Sequence, residues 1–536
     1  MRFINAKKIL ISASVSIFFI GLIYFFAPLN KRLSTMTNAH DKNLSVVSKD
    51  ESHWFKGTVE EAFSVSKSKN TPLLLYWGAE WCPPCHELKD NVFSHPEFSE
   101  LAKGFTSVYL DGDSESAQTW GEKYNLSGYP TVLLLKPGKD SFDELLRIGS
   151  ELTFREFKEL TQLALAKEVD WNELSEKAKM LSSGVNKVGF SETDLYFLSS
   201  FPEKVMSNLS LDKEEKVEFL LAILTNSSIE LKKLNHASYL RLSNHAAGLV
   251  IKSGKSSLKE FLAGYLEETA FQSNESIWIA RHFLSYNFQG FIENYNSIGE
   301  KFYEIANAWI EALDRVRENP LSGSGVKIWS LLPYSQFLAL NLEESFKGRI
   351  KHPLLQKRKL IEKIFEIKGE ANTKHQKGAT ASAAAYLLGE IKAFDEAERI
   401  LLDEIKTSST PWYYYRSLSS LYKKKGDLKG QLKWSKKASE TVKGEATRLQ
   451  WLSSEVETLV ETSSGKEETA AVMLEFFKFA KETSACFEGR NVASHKRIKK
   501  AYDQYLPKKL QTQIDLEGFC AGFDAEASTL CKRIYL

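Results

Sequence analysis

One pentapeptide constrains this chain more than anything else in it: Trp81-Cys82-Pro83-Pro84-Cys85. It is preceded by Pro72-Leu-Leu-Leu-Tyr-Trp, a short continuous apolar run of the kind found in strands buried on both faces. It is followed by Glu87 to Phe93, which has helical spacing. Two thiols three positions apart at the start of a helix can close and open a disulfide with little backbone motion. Unpaired N–H groups at a helix N-terminus, with the positive end of the dipole, stabilise a thiolate on the first of them. Cys82 is therefore the expected attacking thiolate and Cys85 the resolving thiol. Pro83 and Pro84 suit a first helical turn, where missing donors cost little.

The flanking sequence alternates helix and strand signals over 53–167. Val59-Glu-Glu-Ala-Phe-Ser-Val reads as an amphipathic helix, Phe105–Leu110 as a strand and Glu115–Tyr124 as a helix. Gly128-Tyr129-Pro130 turns the chain into the strand Thr131–Leu135. Pro137-Gly138 leads to a further strand near Leu145–Ile148, and a helix from Phe154 to Lys167 closes the segment. This order implies an α/β layer fold.

Residues 72–149 resemble a thioredoxin-fold domain, on the strength of the apolar strand, the Trp-Cys-Pro-Pro-Cys motif and Tyr129-Pro130-Thr131 before a strand. Pro130 follows Cys85 by 45 residues. The resemblance implies that Pro130 is cis, faces the cysteines and, with Tyr129 and Trp81, shapes a groove for a substrate chain. It also implies thiol-disulfide exchange of the kind run by exported reductases and their relatives. One departure concerns the proton. Many thioredoxins carry a buried acid six positions before the first cysteine; here that position is Tyr76, and Glu80 is the nearby candidate for proton transfer.

Competing readings of the same residues are weaker. Cys82-x-x-Cys85-His86 also fits a c-type haem attachment pattern, but a buried strand feeding a helix does not wrap a porphyrin, and no Met axial segment is evident. Zinc needs two further ligands, and the pair can also be a purely structural disulfide. No metal and no cofactor are expected. His86 reads as a solvated helix residue, and Asp111-Gly-Asp-Ser-Glu as a polar turn rather than a calcium loop, since the later ligands are missing. Cys486, Cys520 and Cys531 remain. Cys520–Cys531 closes the shortest loop, Cys486–Cys520 is an alternative, and three buried thiols are a third.

The N-terminus sets the expected compartment. Ile9 to Leu29 is a 21-residue stretch without charge, about 31 Å as a helix and so long enough for a bilayer. Residues 1–8 are then a cytoplasmic N-terminus, 9–29 a single-pass membrane anchor and 30–52 a flexible polar linker. A cleaved signal peptide is the alternative; its apolar core would be shorter and end in a small-x-small site. Either reading exports the rest of the chain, and the expectation is a redox domain in the periplasm, tethered to a bacterial inner membrane.

Residues 168–536 have apolar residues at helical spacing and few strand signals, so the fold class is an α/β thioredoxin-like domain followed by a large all-α domain, helical repeat or bundle, with an N-terminal transmembrane helix. A 34-residue echo relates Leu388, Phe394 and Leu401 to Tyr422, Leu428 and Ser435. The region 378–444 resembles two tetratricopeptide units, the first degraded, with Lys392 where Gly is usual. Such pairs stack and present a concave surface to protein partners. Trp412-Tyr-Tyr-Tyr is expected to pack in a core. Charge is nearly balanced, 71 Lys+Arg against 69 Asp+Glu, which disfavours nucleic acid as a partner.

The expected function is a membrane-tethered thiol-disulfide oxidoreductase, reduction favoured. Its partners would be protein disulfides or thiols and an upstream thiol electron donor. The alternative is an assembly scaffold in which the thioredoxin-like part senses redox state or recognises partners.

Overall fold

The computed structural model describes residues 53–126, 128–139, 141–149, 152–166, 171–182, 185, 188–200, 212–226, 236–254, 258–295, 299–340, 342 and 344–536. The expected N-terminus 1–8, anchor 9–29 and linker 30–52 lie outside the described residues. Among the described residues, no helix is long and apolar enough to cross a membrane.

The chain divides into two compact units. One comprises Met1–Cys85, Ser94–Glu151 and Ser409–Leu536; the other comprises His86–Phe93 and Leu152–Ser408. The helical region 168–536 is thus divided between both units. The helix Phe154–Ala166 belongs to the second, not to the α/β layer.

The α/β part runs α1 Val59–Lys69, β1 Leu73–Gly78, α2 Pro83–Leu88, α3 Phe98–Ala102, β2 Thr106–Asp111, α4 Glu115–Lys123, β3 Thr131–Pro137 and β4 Phe142–Ile148. The strands form one sheet in the order β2-β1-β3-β4. β1 runs parallel to β2 and antiparallel to β3, and β3 antiparallel to β4. All six residues of β1 are buried, which is why its sequence shows no alternation. Leu73, Leu75 and Trp77 share one core with Val108, Leu110, Leu133, Leu135, Val59 and Ala62. The Trp77 indole donates to the Ala117 carbonyl at 3.2 Å, so the ring is anchored as well as buried. A capping box between Thr58 and Glu61 starts α1, and Asn70 in the left-handed region ends it. The helix expected over 87–93 is instead the end of α2 followed by a π-helical turn, Lys89–Phe93.

The helical parts of both units are built from paired helices. In the second unit, Lys374–Glu390 and Phe394–Ile405 pair through a turn at Lys392, φ 56°. In the first, Pro411–Lys425 and Leu428–Thr441 pair through a turn at Gly426, φ 78°. The two turns are 34 residues apart, as are the starts of the second helices, Phe394 and Leu428. The helical region is therefore consistent with repeats. Of the aromatic run, Trp412, Tyr414 and Tyr415 are buried, as expected of core residues; Tyr413 is half-buried.

The C-terminal end has its own core around Met473, Phe476, Phe477, Ile498, Phe519 and Tyr535. A Cys520–Cys531 disulfide lies in it with a Cα–Cα distance of 5.4 Å, and Cys486 is a buried free thiol. This resolves the pairing that spacing left open. His495 is wholly buried and meets the Tyr535 hydroxyl at 2.8 Å through Nδ1.

Two outcomes are expected. A left-handed φ costs a residue with a Cβ about 1 kcal/mol relative to glycine, so Lys392→Gly should stabilise the second unit by about that amount in a denaturant titration; a loss of stability would refute the strain. The C-terminal core should also weaken at both ends of the pH scale. Burial lowers the His495 pKa from 6.5 to about 3, so the unfolded chain takes up a proton that the folded state refuses. Its contribution is present above pH 6.5 and falls below it by up to about 1.4 kcal/mol per pH unit. Burial pushes the Cys486 thiol from 9.0 up to about 12, so stability is lost as pH rises past 9. His495→Phe should flatten the acid limb of the melting temperature plotted against pH.

Candidate redox site

The site is assembled where β1 leaves the sheet. Buried strand residues fix the position of Gly78, and Ala79 closes a tight turn in which its carbonyl accepts the Cys82 N–H at 3.2 Å. α2 then begins at Pro83. Cys82 and Cys85 are joined as a disulfide across the first turn, with Cα atoms 5.2 Å apart. The Cys85 backbone N–H donates to Cys82 Sγ at 3.2 Å. That donor is one of the helix's orphan amides, aimed at the sulfur expected to carry negative charge on reduction. Both cysteines are buried, Cys82 being 3% exposed. Ala79 and the two cysteines form a small apolar cluster, and Trp81 and Tyr129 pack against it.

The Tyr129–Pro130 peptide is cis. Pro130 is buried, and Thr131 ties the turn through its hydroxyl to the Gly128 carbonyl at 2.8 Å. The Tyr129 hydroxyl donates to the Gly112 carbonyl at 3.3 Å, and burial raises its pKa. The structure thus brings Trp81, Cys82, Cys85 and Tyr129 together.

Glu80 is exposed. Tyr76, at the position of the missing acid, is buried in an aromatic group with Trp54 (5.8 Å between ring centres) and Tyr109 (5.3 Å). Burial raises its pKa further above the usual tyrosine value, and Glu80 and Asp111 add to the shift. It replaces the acid with a phenol that burial keeps protonated. His86 is not the solvated residue expected from its place in the helix. It is 7% exposed and its ring lies 5.4 Å from that of His375 within the second unit.

Sequence reasoning missed a residue near the site that joins several parts of the first unit, Asp113. Its Oδ2 accepts the Trp81 indole N–H at 2.7 Å. Its Oδ1 accepts the Thr447 backbone N–H at 2.8 Å, together with the Thr447 hydroxyl and the Arg490 guanidinium. The helix Glu445–Glu461 begins at Gly444, which offers no capping side chain. Asp113 supplies that cap from 334 residues away in sequence. Gly444 has φ 98°, and a Cβ there would fall 2.5 Å from the Asp113 carboxyl carbon. Arg490 also reaches Gln450 Oε1 at 3.0 Å and Thr447 Oγ1 at 2.7 Å. Its guanidinium lies 4.9 Å from the Trp81 ring and 5.7 Å from that of Tyr129. Tyr413 also stacks on Trp81, with ring centres 6.4 Å apart. The only sequence signal was Asp-Gly-Asp-Ser-Glu, whose local reading as a polar turn was correct as far as it went: Ser114 caps α4, and Asp111 Oδ1 accepts the Asp113 N–H at 2.9 Å.

Residues 54–137 match the family model described as thioredoxin-like, so this part of the chain is a thioredoxin-like domain. Among curated proteins, the chain is similar to the thiol:disulfide interchange protein DsbD 1 of Pseudomonas aeruginosa, 27% identical over 93 residues, or 17% of this chain and 16% of that protein. It is 30% identical over 87 residues to an H-type thioredoxin of Oryza sativa subsp. indica, 16% of this chain and 66% of the relative. A thioredoxin H4 of Arabidopsis thaliana is 27% identical over 88 residues, 16% of this chain and 68% of that protein. The chain thus spans less than two thirds of the first two relatives. Among solved structures, a thioredoxin from Thermus thermophilus is 27% identical, covering 20% of this chain and 82% of that one, with a TM-score of 0.19. The family match and the curated relatives support thiol-disulfide oxidoreductase chemistry in general.

Removing the cap and the indole acceptor together should be measurable. Asp113→Ala is expected to destabilise the first unit by about 1–2 kcal/mol, read from denaturant unfolding; a change below about 0.3 kcal/mol would show the carboxylate to be dispensable.

Proposed function

We propose that the protein is a thiol-disulfide oxidoreductase acting on protein disulfides through the Cys82–Cys85 dithiol, with reduction of the substrate as the favoured direction. The observation that carries this reading is the Cys85 N–H directed at Cys82 Sγ at the start of α2, with Trp81 and Tyr129 packed against the cysteine pair. In the reduced protein the Cys82 thiolate attacks one sulfur of a substrate disulfide. A mixed disulfide forms and one substrate sulfur leaves as a thiolate. Cys85, once deprotonated, attacks Cys82 Sγ; the Cys82–Cys85 bond forms and the second substrate sulfur departs. Two electrons pass to the substrate, whose thiolates take up protons. Recovery of the dithiol takes two electrons from an upstream dithiol donor. Trp81, Tyr129 and Pro130 shape the groove, and Glu80, exposed beside the motif, is the proposed proton carrier. The reading places the domain outside a bacterial inner membrane, held by residues 9–29, with the helical regions binding protein partners.

Cys82→Ser should abolish catalysed insulin-disulfide reduction with dithiothreitol as donor. Cys85→Ser should leave substrate covalently held on Cys82, identified by mass spectrometry after non-reducing electrophoresis. Full insulin reduction by Cys82→Ser is the result that would sink the assignment. The alternative of an assembly scaffold is favoured instead if Cys82→Ser retains every partner recovered with the wild type and neither variant changes redox activity.

A further inference from the structure

We propose that the C-terminal helices act as a lid on the redox site, and that Arg490 bound to Asp113 is its latch. The inference rests on the reading of Cys82–Cys85 as the exchanging pair and adds how access to it is controlled. A dithiol that exchanges with another polypeptide needs its first sulfur exposed, yet Cys82 is 3% exposed. The two aromatic rings beside it, Trp81 and Tyr129, are themselves covered by the Arg490 guanidinium at 4.9 and 5.7 Å. Tyr413 covers Trp81 further. These are the residues through which a substrate chain would be gripped, so in this conformation the chain's own residues 409–536 occupy that place.

Alongside these ring contacts, the closure has polar attachment points among the described residues. Asp113 receives the Arg490 guanidinium and the start of the helix Glu445–Glu461. Gln118 Oε1 accepts the Arg490 backbone N–H at 3.3 Å, and Glu122 Oε2 accepts the Gly489 N–H at 3.0 Å. Gly489 has φ 53°, with the Gln118 carbonyl 3.0 Å from where a Cβ would be. The contact requires glycine at both approach points, 444 and 489. Charge and hydrogen bonding of this kind, half-buried at 20% and 16% side-chain exposure for Arg490 and Asp113, can be exchanged for water or for a partner's groups without unfolding either part.

The test measures chemical access on the full chain. A water-soluble trialkylphosphine attacks the Cys82–Cys85 bond; water supplies the oxygen of the phosphine oxide and both sulfurs leave as thiols. Iodoacetamide then labels Cys82, followed by peptide mass spectrometry. The wild type should react slowly. Arg490→Ala and Gly444→Ala, which open the contact by different means, should each react at least tenfold faster with unchanged helix content by circular dichroism. Ala383→Gly, a destabilising change in the second unit, should not. Raising salt from about 0.05 to 1 M shortens the screening length severalfold and should speed the wild type alone, a measurement that needs no variant to fold. Wild-type reaction as fast as that of the two variants, or equal acceleration by Ala383→Gly, would overturn the lid, as would a flat salt series. The two proposals fail separately: an opened variant with rapidly labelled Cys82 that still cannot reduce insulin sinks the oxidoreductase reading and spares the lid.

Discussion

The burial of β1 along its whole length is the constraint on which the redox site depends. Six consecutive residues without a solvent-facing side chain cannot slip or fray, because every register shift would leave a large apolar group without its partners. Trp77 is held twice, by packing and by its bond to Ala117. The chain therefore leaves the sheet at a fixed point, turns once at Ala79 and starts α2 with the Cys85 amide aimed at Cys82 Sγ. The cis turn at Tyr129–Pro130 leads directly into β3, the antiparallel neighbour of β1. Both halves of the site thus take their positions from adjacent strands of the same sheet.

A second constraint is local but reaches far along the chain. Asp113 sits in the loop after β2 and satisfies donors from three places: the Trp81 indole, the helix start at Thr447 and the Arg490 guanidinium. A carboxylate has room for several donors, and a helix N-terminus that lacks its own cap is a natural recipient of one. Through this one side chain the α/β layer and the C-terminal helices share hydrogen-bond partners at the redox face. The Arg490 guanidinium held there lies over the two aromatic rings that pack against the cysteine pair.

Legibility followed the range of the forces involved. Strands β1 and β3, helices α1 and α4, and the Cys-Pro-Pro-Cys turn were readable because short-range pattern and turn chemistry decide them. The left-handed turns at Lys392 and Gly426 were readable as a 34-residue echo, since each closes a local helix pair. The π-helical turn at Lys89–Phe93 was not: periodicity over seven residues does not separate it from a straight helix. The burial of His86 was missed because its partner, His375, is 289 residues away. Cys520–Cys531 was one of three alternatives, and only the packing of the last helices selects it.

By itself the sequence determined the α/β layer, the helical remainder and the reactive pair, because hydrophobic period, proline and cysteine spacing act within a few residues. It also carried the expectation of an apolar anchor at 9–29. What only the tertiary structure decided is the setting of that pair: the joining of residues 409–536 to the redox domain, and the role of Asp113, Gly444 and Arg490. Those contacts span more than 300 residues, and a hydrogen-bond acceptor carries no mark in sequence of which distant donor it will meet.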